Sequence, residues 1–535
     1  MEQVFFHGLI CTMDSEQPMA QAVLIRDGRF AWVGTDEEVL AMAAPGALLH
    51  DLQGAAAYPG LIDSHLHILN HAMASRELEL NGMRTRGGAL EAIAERVSSL
   101  AEGAALDGRG FNEDLWDDPR LPMRRELDVI APRTPVRLTR ICGHLVIANT
   151  CAMQQSGVTA STAAPEGGML DYERGIFAET AIGLLYPSDQ DAGVASCMEL
   201  LEAGMNMAAD AGLTAIFTDD FGTGGYTMAT VTEAYRTLEA QGRMPVRVVQ
   251  QCAMPTDESL KAFLHEGYHY LYGSDMYRLG ARKLYADGSL GARTAWLSEP
   301  YADRPETCGV PTYTQQELNR LAEEAHRAGL PVIVHAIGDA AVSSVLDAIG
   351  YARRALPGTE KLPDGIVHCQ ITTPELLKRI AREHVCVYAQ PVFAEYDLHI
   401  CRDRVGAWRE ESSYAWATLL RSGVCVSSGS DCPVEPLSPV KNIYCAVARR
   451  DFDHQPPEGW LPSERLTLQE ALRCHTVEAA RAASLEDRLG RIKAGYLADM
   501  TVFPKPLGDV PVDELPDQKP LMTVLGGRVR ACPAR

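Results

Sequence analysis

Thr314-Gln-Gln-Glu-Leu-Asn-Arg-Leu-Ala-Glu-Glu-Ala-His-Arg-Ala-Gly-Leu-Pro-Val-Ile-Val-His335 is the stretch that decides the fold. Thr314 and Glu317 make a capping box, which opens a helix by satisfying backbone N–H groups that have no partner within it. Gly329 ends that helix, and Pro331-Val-Ile-Val-His335 follows as an apolar strand. The same order recurs along the middle of the chain. Met198 to Ala211 reads as an amphipathic helix stopped by Gly212, and Thr214-Ala-Ile-Phe-Thr218 as the strand after it. Thr373-Pro374-Glu375 puts proline at a first helical position, and Val385-Cys-Val-Tyr-Ala389 follows. Ser413 to Arg421 reads as a helix, Gly423 as its end, and Val424-Cys-Val-Ser-Ser428 as a strand. Apolar strands alternating with helices indicate an α/β protein whose parallel sheet is covered on both faces. Gly108-Arg-Gly110 lacks the third glycine of a dinucleotide loop, and Phe221-Gly-Thr-Gly-Gly225 opens no evident helix. A closed β/α barrel is therefore preferred to an open doubly wound sheet.

The ends of the chain have another texture. Gln3 to Cys11, Ala22 to Arg26 and Phe30 to Val33 read as strands, with a hairpin turn at Asp27-Gly28. Met500 to Phe503 and Thr523 to Val529, with Gly526-Gly527 inside, read the same way. One small β domain built from both ends, residues 1–57 and 488–535, is expected around a barrel at 58–487. An insertion near residues 76–195 is expected on the substrate side.

The 535 residues suffice for a large barrel and a second domain, and a 46% hydrophobic fraction supplies the core. The net charge of −22 disfavours nucleic acid, whose phosphates it repels. The 14 cysteines are scattered with no Cys-x-x-Cys pair, as in a reduced cytoplasmic protein. No run approaches the roughly 18 apolar residues of a membrane span, and the start, Met1-Glu-Gln-Val-Phe-Phe-His7, lacks a basic leader. A homodimer is the base-rate expectation.

Six residues stand where apolar strands end: His65, His67, Lys283, His335, His368 and Asp431. In Tyr58-Pro-Gly-Leu-Ile-Asp-Ser-His-Leu-His67, the strand period of two turns both imidazoles to one side, where they can hold a divalent metal. His335 and His368 end successive apolar strands, and Asp431 follows another inside Ser428-Gly-Ser-Asp-Cys-Pro433. Lys283 is the odd member: a protonated lysine repels metals, so it joins such a site only when neutral or carboxylated to a carbamate. The alternative is a buried lysine paired with Asp287. His71, His326 and His475 read as structural.

Together with Asp287-Gly-Ser-Leu-Gly-Ala-Arg293, His335-Ala-Ile-Gly-Asp339, His368-Cys-Gln370, Gly429-Ser-Asp-Cys-Pro-Val434 and Gly490-Arg-Ile-Lys-Ala-Gly-Tyr-Leu-Ala-Asp499, these motifs resemble the amidohydrolase superfamily. The likeness is narrower still to its family 3 branch, which includes N-substituted formamide deformylases. The resemblance implies a (β/α)₈ TIM-type barrel with a composite β-sandwich. It implies His65 and His67 on the first strand, Lys283 on the fourth, His335 and His368 on the fifth and sixth, and Asp431 on the eighth. It also implies one or two divalent metals, zinc foremost, with an N6-carboxylysine at Lys283. The expected activity is hydrolysis of an amide-type, non-peptide C–N bond of a small molecule, with Asp431 as general base and then acid. A mononuclear deaminase of an aminated ring and a barrel scaffold without catalysis are the alternatives. Trp116, His144, Asp287, Arg293 and Gln390 are candidate substrate contacts, each also readable as a residue that orders its loop.

Overall fold

The computed structural model describes residues 2–101, 103–140, 145–165, 168–186 and 193–533. These form two compact units, the first of Met1–Leu69, Cys197–Thr223 and Met228–Arg535, the second of Asn70–Ser196 with Gly224–Thr227. No helix of the described residues is long and apolar enough to cross a membrane.

Eight parallel strands make the central sheet of the first unit. They are β1 (Leu61–Leu66), β2 (Leu213–Thr218), β3 (Arg247–Ala253), β4 (Tyr277–Tyr285), β5 (Val332–Ala336), β6 (Gly365–His368), β7 (Cys386–Ala389) and β8 (Val426–Ser428). Each pairs with the next in chain order. Beyond β8 the chain returns to β1: Asp431 N–H donates to His65 O and His67 N–H to Cys432 O, both at 2.8 Å. Gly429 permits this approach, since a Cβ there would lie 2.5 Å from His65 N. The sheet is thus a nearly closed parallel barrel.

The helix boundaries follow the local signals. Thr314 caps Gln315–Arg327 with the complete capping box, and Pro374 stands at the start of Pro374–Glu383. The helix expected over Ser413 to Arg421 is shorter, Trp416–Arg421, because Tyr414 takes φ 52°, outside the right-handed helical region.

One apolar cluster fills the barrel. It joins Ile62, Phe217, Val249, Ala281, Ile333, Val367 and Tyr388, from seven strands, to Ala479, Ala480 and Ala482 of helix Val477–Ala482 and to Leu485 and Leu489. Burying each large side chain contributes roughly 1.5–3 kcal/mol. Two residues beyond this layer, on the same side of the pleat, stand Asp219, Gln251, Lys283, His335 and Gln390. The apolar layer is therefore the floor on which the polar site is built.

The chain ends share a sheet. Ala56–Pro59 pairs antiparallel with Met500–Phe503, inside a six-stranded sheet that also holds Leu9–Cys11 and Met522–Leu525. A four-stranded sheet of Glu2–Phe6, Ala22–Arg26, Arg29–Gly34 and Leu48–Asp51 shares its core through Phe5, Val23 and Ile25 against Met500 and Val502. The single strand expected over Gln3 to Cys11 is two, in different sheets: His7 takes φ 52°, and the chain changes sheet there. The Asp27-Gly28 hairpin forms, both residues having positive φ.

The second unit carries its own six-stranded sheet, from Leu78–Glu79 to Gly168–Asp171. Its core packs Leu80, Ile93, Phe111, Leu127 and Leu138.

Candidate metal centre

His65 lies near the end of β1, with His67 one residue past that strand. Lys283 lies on β4, His335 on β5, and His368 ends β6. Asp431 stands in the turn after β8. All six therefore gather at the C-terminal ends of the barrel strands, where a β/α barrel carries its functional residues. His368 and Asp431 both have positive φ, 77° and 58°, an expensive conformation for non-glycine residues and one that clusters at functional sites.

Each imidazole has one nitrogen tied to a carbonyl oxygen. His65 Nδ1 is 2.6 Å from Gln251 Oε1, and His368 Nδ1 is 2.7 Å from Gln390 Oε1. His67 Nδ1 is 3.1 Å from the Asp219 carbonyl, and His335 Nε2 is 3.0 Å from the Gly288 carbonyl. Carbonyls only accept, so these nitrogens carry protons, and the opposite nitrogen of each neutral ring presents a lone pair. Those lone pairs converge. His65 Nε2 and His67 Nε2 each lie 3.2 Å from Asp431 Oδ1, and His65 Nε2 is 3.3 Å from Lys283 Nζ. His368 Nε2 is 2.9 Å from His335 Nδ1, and the His65 and His368 rings are 5.8 Å apart.

This donor set fits a divalent cation. Asp431 Oδ1 is buried without a well-formed hydrogen bond among the described residues, although two imidazole nitrogens face it. His65, His67 and Asp431 hold their ligand atoms within 4.8 Å of one another. Imidazole nitrogen with carboxylate oxygen suits zinc and its first-row neighbours.

The electrostatics agree. Burial, with Lys283 nearby, pushes His65 down to about 3, and burial pushes His335 down to about 4, so both stay neutral at pH 7. Burial also opposes a charge on His67, but the Asp431 carboxylate outweighs it and raises that imidazole to about 9. Burial brings Lys283 down to about 8, against the pull of Asp219 and Asp431. Asp63 sits behind the pair: its carboxylate accepts from Ser430 N at 3.1 Å and His65 N at 3.2 Å, tying β1 to the turn that holds Asp431.

Of the remaining candidates, Asp287 and Gln390 stand beside the centre, Asp287 Oδ1 lying 3.4 Å from His335 Nε2 and Gln390 Oε1 2.7 Å from His368 Nδ1. Asp287 accepts from the main-chain N–H groups of Trp296, Ile337 and Gly338 at 2.8, 3.0 and 2.8 Å, so it orders its loop. Asp287 is also not the partner of Lys283, whose acidic neighbours are Asp219 and Asp431. Arg293 pairs with Asp303 at 2.6 Å. Gln390 is wholly buried behind His368. Trp116 packs in the core of the second unit, 5.9 Å from Phe111. His144 lies outside the described residues. His326 is structural, with Nε2 2.8 Å from Asp364 and Nδ1 3.1 Å from Thr359. Sequence reasoning passed over Gln251, Asp219 and Tyr285, whose hydroxyl donates to Asp219. The available signal was the pleat: each lies two or four residues beyond an inward apolar residue of its strand.

A parallel barrel bearing four imidazoles, a lysine and a carboxylate at its strand ends defines a barrel hydrolase of the amidohydrolase kind. The chain belongs to the amidohydrolase family, whose model matches residues 49–531, and is a hydrolase of C–N bonds. It is 32% identical over 515 residues to the putative amidohydrolase YtcJ of Bacillus subtilis (strain 168), covering 94% of each chain. It is 28% identical to the N-substituted formamide deformylase of Arthrobacter pascens, covering 97% of this chain and 96% of that one. Among solved structures, an uncharacterised metal-dependent hydrolase from Pyrococcus furiosus superposes with a TM-score of 0.79 at 28% identity, over 94% of this chain and 98% of that one.

Proposed function

We propose that this chain hydrolyses an amide-type, non-peptide C–N bond of a small molecule, using one or two zinc ions held by His65, His67, Lys283, His335, His368 and Asp431. The observation that carries the reading is the cluster at one end of the barrel: His65 and His67 against Asp431, Lys283 beside His65, and His335 against His368. The name of the Arthrobacter pascens relative makes N-substituted formamides the first substrate class to try.

Bound zinc supplies a water of lowered pKa and a polarised scissile carbonyl. The chain's own residues do the rest. Asp431, buried between the His65 and His67 imidazoles, accepts the proton that the attacking water gives up and delivers it to the leaving nitrogen. Burial keeps much of Lys283 neutral near pH 8, the form that adds to CO₂ with loss of a proton to give an anionic carbamate. The ends of the chain, 1–57 and 488–535, serve as one β-sandwich domain bracing the barrel.

The test is metal content per chain by elemental mass spectrometry, after expression with zinc and bicarbonate, paired with turnover of N-substituted formamides. One or two equivalents, with turnover lost on chelation and restored by zinc, is the expected result. Two equivalents support the carbamate, and one equivalent favours a mononuclear centre. Folded protein that takes up no zinc overturns the assignment.

A further inference from the structure

The four imidazoles are held in two different ways. His67 and His335 donate to main-chain carbonyls, so their orientation comes with the fold. His65 and His368 donate instead to side-chain amides, those of Gln251 and Gln390, which are 2% and 0% exposed. Resting on the metal-centre reading above, we infer that Gln251 and Gln390 are positioning residues that fix the Nδ1–H tautomers of His65 and His368 and thereby aim both Nε2 lone pairs into the centre.

A glutamine amide can offer either an oxygen or an N–H to an imidazole. Here the choice is forced from behind. Gln251 Nε2 donates to Ser64 O at 3.0 Å, and Gln390 Nε2 donates to Tyr388 O at 2.8 Å. A carbonyl accepts only, so each amide must turn Oε1 to its histidine. Orientation passes from main chain to amide to imidazole to lone pair. The pleat puts both amides at the right height, two residues beyond Val249 on β3 and Tyr388 on β7. Both are also neutral. A carboxylate in the same place would add a negative charge to a buried site that already contains Asp63, Asp219 and Asp431.

Methionine at either position keeps length and apolar volume but loses the acceptor. Glutamate keeps an acceptor towards the imidazole and gives up the bond behind it. Zinc affinity of the full-length protein, measured by competition with a chromophoric chelator, separates these cases. Gln251→Met and Gln390→Met are expected to weaken zinc binding about 10–100-fold, the usual effect of losing a residue that orients a ligand. Gln251→Glu and Gln390→Glu, which keep the acceptor but lose the bond behind it, are expected to recover part of that loss. For the zinc-saturated Met variants kcat falls while KM holds, because both glutamines stand behind the histidines. Met variants that bind zinc as tightly as the parent, or Glu variants no tighter than Met, overturn the inference. A parent protein that takes up no zinc overturns the metal centre, and this inference with it.

Discussion

The two ends of the barrel treat buried charge in opposite ways. At the N-terminal ends of the strands buried charges are paired with opposite charges. Arg247, the first residue of β3, makes two bonds to Asp499 at 2.6 and 2.9 Å, and Asp499 accepts a third from Gly526 N. Asp364, just before β6, accepts from His326 at 2.8 Å, Val332 N at 3.0 Å and Arg353 at 3.1 Å. At the C-terminal ends, His368 Nε2 and His335 Nδ1 face each other as lone pairs at 2.9 Å, and Asp431 Oδ1 stands between two imidazoles. Buried polar groups are ordinarily satisfied, and a set that is satisfied only by a shared cation marks function. One end is closed by its own chemistry, and the other is built to be completed.

Breaking the open end has the largest effect. His65→Ala or His67→Ala should remove bound metal and turnover together while far-UV circular dichroism holds. An alanine variant retaining both metal and rate removes that residue from the ligand set. Asp431→Asn keeps an oxygen ligand but cannot carry a proton. It should lower kcat about 10²–10⁴-fold, the range for a general acid–base group, with metal still bound. Full turnover in the metal-loaded variant would end the role given to Asp431.

Much of this end was legible in the sequence, for a physical reason. Strands covered on both faces read as apolar runs, so His335 after Val-Ile-Val and His368 after Gly-Ile-Val stand out. The closing motif through Asp499 was visible too, although its partner Arg247 was not. What stayed hidden depends on distant pairs. Gln251 looks like one of two adjacent strand glutamines until β1 brings His65 to 2.6 Å. Gln390 follows a strand and so reads as a possible substrate contact, while the packing puts it, fully buried, behind His368. The positive φ at His368 and Asp431 also leaves no trace in residue type, since both identities are chosen for chemistry. Local pattern picks out the residues that gather at this end, and tertiary contact picks out the groups that stand behind them.

Breaking the closed end should have a different signature. Asp499→Ala leaves Arg247 buried without its carboxylate, and Asp364→Ala does the same to Arg353 and His326. Each should cost about 3–5 kcal/mol of stability, the usual effect of removing one partner of a buried pair. Urea unfolding of the zinc-loaded protein reads this, while kcat per folded molecule should be unchanged. A loss of kcat without loss of stability would merge the two ends and undo the comparison.

The smallest effect sharpens the boundary between them. His475 is a buried histidine at the closed end, its Nδ1 donating to Ile62 O at 3.0 Å, with Nε2 unpartnered among the described residues. Burial pushes it down to about 4, against a carbonyl that favours the charged form, whereas in the unfolded chain it titrates near 6.5. Between those values the unfolded state binds a proton that the folded state refuses. Its contribution to stability is therefore whole above pH 6.5 and is lost as pH falls towards 4, by at most about 3 kcal/mol. His475→Gln keeps a donor for Ile62 O and removes the titration. Urea unfolding of zinc-loaded protein from pH 7 to 4 should give a shallower fall for the variant, and the same slope for both would show that His475 is not among the groups protonated on unfolding. Burial keeps all three rings neutral, but His65 and His368 aim their lone pairs into a shared centre, whereas the His475 Nε2 meets no hydrogen-bond partner among the described residues.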